Sequence, residues 1–198
     1  MLQEPAPFHD GVTAWLFATG NTALMPLVAG LQNPTVRKRY AAAREVLAEY
    51  GRLDFYEELL DLLGCARMSK ARTEHHLIAL TEAFDAAKEV VETPFFSTDI
   101  SDAARPVASD GSQEMIERGD HREAIFWMVA THCRCQKIFH RGAPALQAEF
   151  AAGFRKLLAD LSIASFDDLR RRGARVERFI PRLWEVAEEI MATNRGIE

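Results

Sequence analysis

Apolar residues recur at three- and four-residue intervals along nearly the whole chain, the spacing of one buried helical face. No run alternates with period two for long enough to form a strand, and no repeat of fixed period appears. The pattern predicts a first, apolar helix over residues 10–30 and a second opened by Pro34 and stopped by Gly51. A short helix over 54–63 ends at Gly64, and Ser69 caps a long one that reaches Glu92 and breaks at Thr93-Pro94. Another short helix runs from Ser112 to Gly119. Asp120 with Glu123 reads as a capping box for a helix reaching about Arg141. Pro144 opens the next. Ser165-x-x-Asp168 caps a short one, and the last spans about 174–193, with Val176, Ile180, Leu183, Ala187 and Ile190 on one face. The expected fold is all-α: one domain over residues 1–198, a bundle of about seven or eight helices.

Residues 94–111 are the one substantial stretch predicted to be non-helical, and loops of that length are often functional. The helix that follows carries His132 and Gln136 on a stripe with His121, Ile125, Met128, Val129 and Phe139. Glu123, Ala130, Arg134 and Lys137 fall on the other side and read as a solvent face. His132 and Gln136 thus interrupt a core stripe. Buried polar groups need partners, so they are either core groups bonded to a neighbouring helix or contacts in a pocket roofed by 94–111.

Charge and cysteine content narrow the function classes. A net charge of −5 argues against a dedicated nucleic-acid binder. Three cysteines, Cys65, Cys133 and Cys135, make no disulfide framework and fit a reducing cytoplasm. Glu4 and two early prolines are unlike a signal peptide. The run 11–31 has no charge and is long enough for a bilayer, but its threonines, Gly20, Asn21 and Pro26 favour a buried or interface helix over a membrane span.

No catalytic motif is complete. There is no phosphate-binding glycine loop, no nucleophile elbow and no paired metal spacing among the histidines, so neither a metal nor a cofactor is expected. Gly111-Ser112 is followed by helix rather than by a strand carrying paired aspartates. Asp99, Asp102 and Asp110 suit turns and caps as well as a cationic ligand. Arg175, Arg178 and Arg182 share a helical face that Glu185 and Glu189 continue, which suggests intrahelical ion pairs. Arg134 and His140 match the spacing of helical ribonuclease toxins, although six residues set them about 120° apart on a helix.

Five segments resemble the helical C-terminal region of bacterial nucleotidyltransferase-domain proteins: NPTVRKRYAAAREVLAEYG, FYEELLDLLGCA, HHLIALTEAFDAAKEVV, PFFSTDISDAARP and ERGDHREAIFWMVATHCRCQKI. They cover most of residues 33–140. The resemblance implies a bundle related to substrate-binding domains that pack beside a catalytic domain and help form the acceptor site. The catalytic Gly-Ser and paired-Asp segment of that family is absent here.

The leading expectation is therefore a non-catalytic substrate- or partner-binding domain associated with nucleotidyl transfer, with the catalytic domain or subunit as partner. Candidate ligand contacts are Asp99, Asp102 and Arg105 in the polar segment, and His121, Arg122, His132 and Gln136 in the helix after it. The alternatives are a ribonuclease-like enzyme using Arg134 and His140, and an interaction or homo-oligomerisation module using the 11–31 helix.

Overall fold

The computed structural model describes residues 6–90, 98–194 and 196. It is an all-α bundle of eight α-helices, with no strand among the described residues. They are α1 (Phe8–Ala29), α2 (Arg39–Glu49), α3 (Leu53–Leu63), α4 (Lys70–Lys88), α5 (Gly111–Glu117), α6 (His121–Gly142), α7 (Pro144–Asp160) and α8 (Phe166–Thr193).

Local signals account for most boundaries. Ser69 Oγ accepts the Arg72 amide at the start of α4. Ser165 Oγ accepts the Asp168 amide, while Asp168 accepts the Ala164 amide, a reciprocal cap for α8. Gly64 closes α3 with φ +93°, which a side chain would strain. Pro144 stands in the first turn of α7, where its missing N–H costs nothing.

Four expectations need correction. Helix α2 begins only at Arg39, after a 3-10 turn over Val36–Lys38. The two helices expected after residue 165 are one, because Gly173 weakens a helix without ending it and no cap residue restarts the chain there. Ile180, assigned to the inner face, is half exposed.

Third, the described part of the segment predicted to be non-helical, from residue 98 on, is largely wound. A 3-10 turn over Asp102–Ala104 is followed by a π-helical turn over Pro106–Asp110 that runs into α5. Ser101 Oγ accepts the Ala104 amide, and Pro106 sets a helical φ at the next turn. The predicted break at Thr93-Pro94 lies outside the described residues.

The fourth correction concerns α6. This helix is central, with α1, α2, α4, α5 and α7 against it. A helix surrounded in this way has little solvent face, and periodicity cannot reveal what its polar stripe meets. Glu123 is 1% exposed and Ala130 is buried, while Arg134 and Lys137 are half-buried. The capping box at its start does not form either. Glu123 turns inward instead, accepting from Arg44 Nη1 at 2.9 Å and from the Tyr56 hydroxyl.

Helix α1 is long and apolar enough to cross a membrane, but over half of its most apolar window is buried. It packs along α8 and against α2, α3 and α6. Gly20 permits the approach to α6, since a Cβ there would lie 2.5 Å from the Phe126 ring. The main core joins α1–α3, α6 and α8 with parts of α4, α5 and α7. A second cluster joins Phe84 of α4 and Ile138 and Phe139 of α6 to Ile100 and Ala108.

Candidate functional site

Most of the sequence-selected residues are already committed to partners within the chain. Asp99 Oδ2 accepts from Arg134 Nε at 3.2 Å, and Asp102 pairs with Lys88 Nζ at 2.7 Å. Arg105 binds Asp85. His121 contacts the carbonyl of Met68 at 3.1 Å. Arg122 holds Glu57 through both terminal nitrogens and also donates to the carbonyl of Ala66. These bonds fasten the 98–110 segment to α4 and α6, and fasten the start of α6 to the α3–α4 region.

The segment does cover a hollow of about 210 Å³, lined by Trp127, Thr131 and Arg134 with Asp99, Val107 and Ala108. It is not the pocket expected, because neither His132 nor Gln136 lines it. Those residues lie on another side of α6. Trp127 Nε1 donates to the Val107 carbonyl at 2.8 Å, and the Arg134 guanidinium stacks 4.8 Å from the Trp127 ring centre. Arg134 and His140 therefore line different hollows.

Two residues with unpartnered buried nitrogens line a cleft between the start of α1, the C-terminal half of α6 and α7, while Trp15, Tyr40, Ser112 and Arg172 carry unpartnered buried polar atoms elsewhere among the described residues. The cleft encloses about 390 Å³. Phe8 and His9 come from α1, Gln136 and His140 from α6, and Gln147, Ala151, Phe154 and Arg155 from α7. His9 is 4% exposed and Gln136 is 3% exposed, yet His9 Nε2 and Gln136 Nε2 have no hydrogen-bond partner among the described residues. Asp10 Oδ1 lies 3.9 Å from His9 Nε2, too far for a hydrogen bond, and is itself held by Lys137 Nζ at 2.9 Å. The His9 and His140 rings meet edge-on with centres 5.5 Å apart, and His140 Nδ1 sits 3.3 Å from Gln147 Oε1. Burial pushes the His9 imidazole down to about 4, against the raising pull of Asp10, so it is neutral at pH 7.

His132 lies one layer behind this cleft. It is 1% exposed, and its ring packs 5.7 Å from that of Phe154, which lines the cleft. Both ring nitrogens lack a partner among the described residues. Burial pushes it down to about 3, and neighbouring His76 adds to the effect. The expected burial of His132 is present, but among the described residues it makes neither of the contacts expected for it, a bond to a neighbouring helix or a place in the hollow under the polar segment. His76 contributes a second partly satisfied imidazole. Its Nε2 lies 2.7 Å from Asp160, while its Nδ1 is buried without a partner.

Three further hollows lie on the surface, one of them, of about 640 Å³, lined by Lys38, Arg44, Glu45, Arg118 and Asp120. An apolar groove of about 370 Å³ between α1 and α8 is lined by Leu24, Met25, Val28, Ile180 and Trp184. A broader cleft beside α4 is lined by Glu74, Glu82, Asp85 and Asp110 with Leu77 and Ile78. Among the described residues, no group of three or more His, Cys, Asp or Glu side chains is arranged to hold a metal ion. Cys65, Cys133 and Cys135 are buried, free thiols pushed up by burial, with Cys133 at about 12.

Sequence reasoning found Gln136 and His132 through the polar interruption of an apolar stripe. It missed His9, which sits in the first turn of α1 beside Asp10, with no periodic signal of its own. It also missed the cleft's α7 wall. Comparison with family models, with curated proteins and with solved structures found no match to this chain.

Proposed function

We propose that the chain is a small-molecule-binding module whose site is the cleft between α1, α6 and α7. One observation carries this reading: two side chains that are more than nine-tenths buried, His9 and Gln136, line the cleft and carry nitrogens that have no hydrogen-bond partner among the described residues. Such atoms cost about 1–3 kcal/mol each when left unpaired. A ligand that hydrogen-bonds to them recovers that cost. The apolar walls supplied by Phe8, Ala151 and Phe154 suit the body of such a ligand.

The resemblance of residues 33–140 to nucleotidyltransferase-associated helical domains supports a more specific role. The cleft would hold an acceptor substrate for a catalytic domain carried elsewhere. The ribonuclease reading is weakened, because Arg134 is bound to Asp99 and stacked on Trp127, away from His140. The interaction-module reading draws support from half-exposed Ile180 and Trp184 beside α1, with a second copy of the chain as occupant.

Ligand-observed NMR on the full chain with a chemically diverse fragment library tests the proposal. Binders should compete with one another and should lose binding to the Gln136→Leu variant, whose helical circular dichroism should be unchanged. Binders indifferent to Gln136→Leu would overturn the assignment of the site. A nucleotidyltransferase domain encoded beside this chain would support the wider association, whereas incorporation of labelled nucleotide by this chain alone would count against a binding role. Sedimentation of the wild type and of Trp184→Lys tests the second reading, which requires a dimer that the substitution dissociates.

A further inference from the structure

The cleft that receives the ligand is chemically one-sided, and we infer that its ligand is a small organic anion: an apolar body bearing one carboxylate or phosphate group. This rests on the cleft being the binding site, and adds which class of molecule it selects. No aspartate or glutamate lines the cleft. Its only lysine or arginine is Arg155, exposed on α7 and making no ion pair or hydrogen bond among the described residues. Every other arginine around the α6 core that has been described above is tied to a carboxylate or a carbonyl.

The nearest acidic group on α1, Asp10, is held by Lys137 and does not line the cleft. Gln136 adds two N–H donors on its unpartnered nitrogen. His9 lines the same wall, is neutral at pH 7 and has no partner for Nε2 among the described residues. His9 and Gln136 therefore offer hydrogen-bonding groups without charge, and Arg155 adds a planar cation suited to a carboxylate or phosphate. A cationic ligand would meet Arg155 with no compensating anion. A neutral ligand would forgo the charge-assisted bond. Phe8, Pro144, Ala151 and Phe154 supply apolar contact for the rest of the molecule.

Four probes sharing a phenyl body decide the matter: benzoate, phenyl phosphate, benzamide and benzylamine, each titrated into the full chain with the side-chain amide of Gln136 followed by NMR. At least one of the two anions should shift that resonance saturably, about tenfold more tightly than benzamide, and benzylamine should not shift it. The tighter anion identifies the head group. Arg155→Gln, a change at an exposed position, should bring the anion down to the affinity of benzamide and leave benzamide itself unchanged. If benzamide or benzylamine binds as tightly as the anions, or if Arg155→Gln leaves anion binding intact, the anion assignment fails while the cleft remains the binding site. If none of the four perturbs Gln136, both readings fall.

Discussion

At the start of α6, Asp120, Arg122 and Glu123 are surrounded by matched partners; three turns further on, His132 and Gln136 are buried as deeply and are not. Asp120 accepts from Arg44 at 2.7 Å and from Arg118. Burial opposes its ionisation, but these two guanidinium groups outweigh that and hold its carboxyl below the usual range. Glu123 accepts from Arg44 and Tyr56, and burial beside that carboxylate pushes the Tyr56 phenol up. These groups connect α2, α3 and α6, and the carboxylates of Asp120 and Glu123 both have donors. The later half of the helix has polar groups of the same depth with nitrogens to spare. Burial of polar groups alone therefore does not distinguish a structural network from a site; satisfaction does.

The comparison can be broken most sharply at Glu123. Glu123→Ala removes the shared acceptor of Arg44 and Tyr56, and urea unfolding should show a loss of about 2–4 kcal/mol, the range reflecting that Arg44 is one-third exposed and can rehydrate. A loss under about 1 kcal/mol would mean that this network is no more structural than the cleft.

His132→Leu tests the other half of the helix. No hydrogen bond is lost, so stability at pH 7 should change by less than about 1 kcal/mol. The acid response should change more. The folded-state pKa of His132 lies below its value in the unfolded chain, so the unfolded state binds the extra proton and wild-type stability falls as pH drops from about 6.5 towards about 3. Removing this group should flatten that fall by up to about 1.4 kcal/mol per pH unit, read from denaturation midpoints at pH 7 and pH 4.5. An unchanged pH slope would show that His132 is hydrogen-bonded or hydrated.

Arg134→Ala should cost about 1 kcal/mol, through lost stacking on Trp127 and the pair with Asp99. A fully exposed arginine would show almost none of this loss. No loss of stability is expected for Gln136→Leu, which removes an unpaired buried nitrogen, although that variant should lose ligand binding altogether. A destabilisation as large as that of Glu123→Ala would move Gln136 from the site to the scaffold.

The sequence by itself determined the all-α class and most helix ends, because caps, left-handed glycines and first-turn prolines act within a few residues of where they stand. Ser69, Gly64, Pro144 and the Ser165–Asp168 pair all behave as their local chemistry requires. It also marked His132 and Gln136, since a polar residue on an apolar stripe is visible in the helical period. Only the tertiary structure decided what those residues meet. Periodicity gives angles around one helix axis and says nothing about how many neighbours surround it, so Glu123 and Arg134 were assigned to solvent on a helix that has almost none. The cleft joins His9, Gln136 and Arg155 from three helices, residues separated by up to 146 positions (155 − 9). Their meeting depends on how α1 and α7 pack against α6, and no spacing within one segment carries that information.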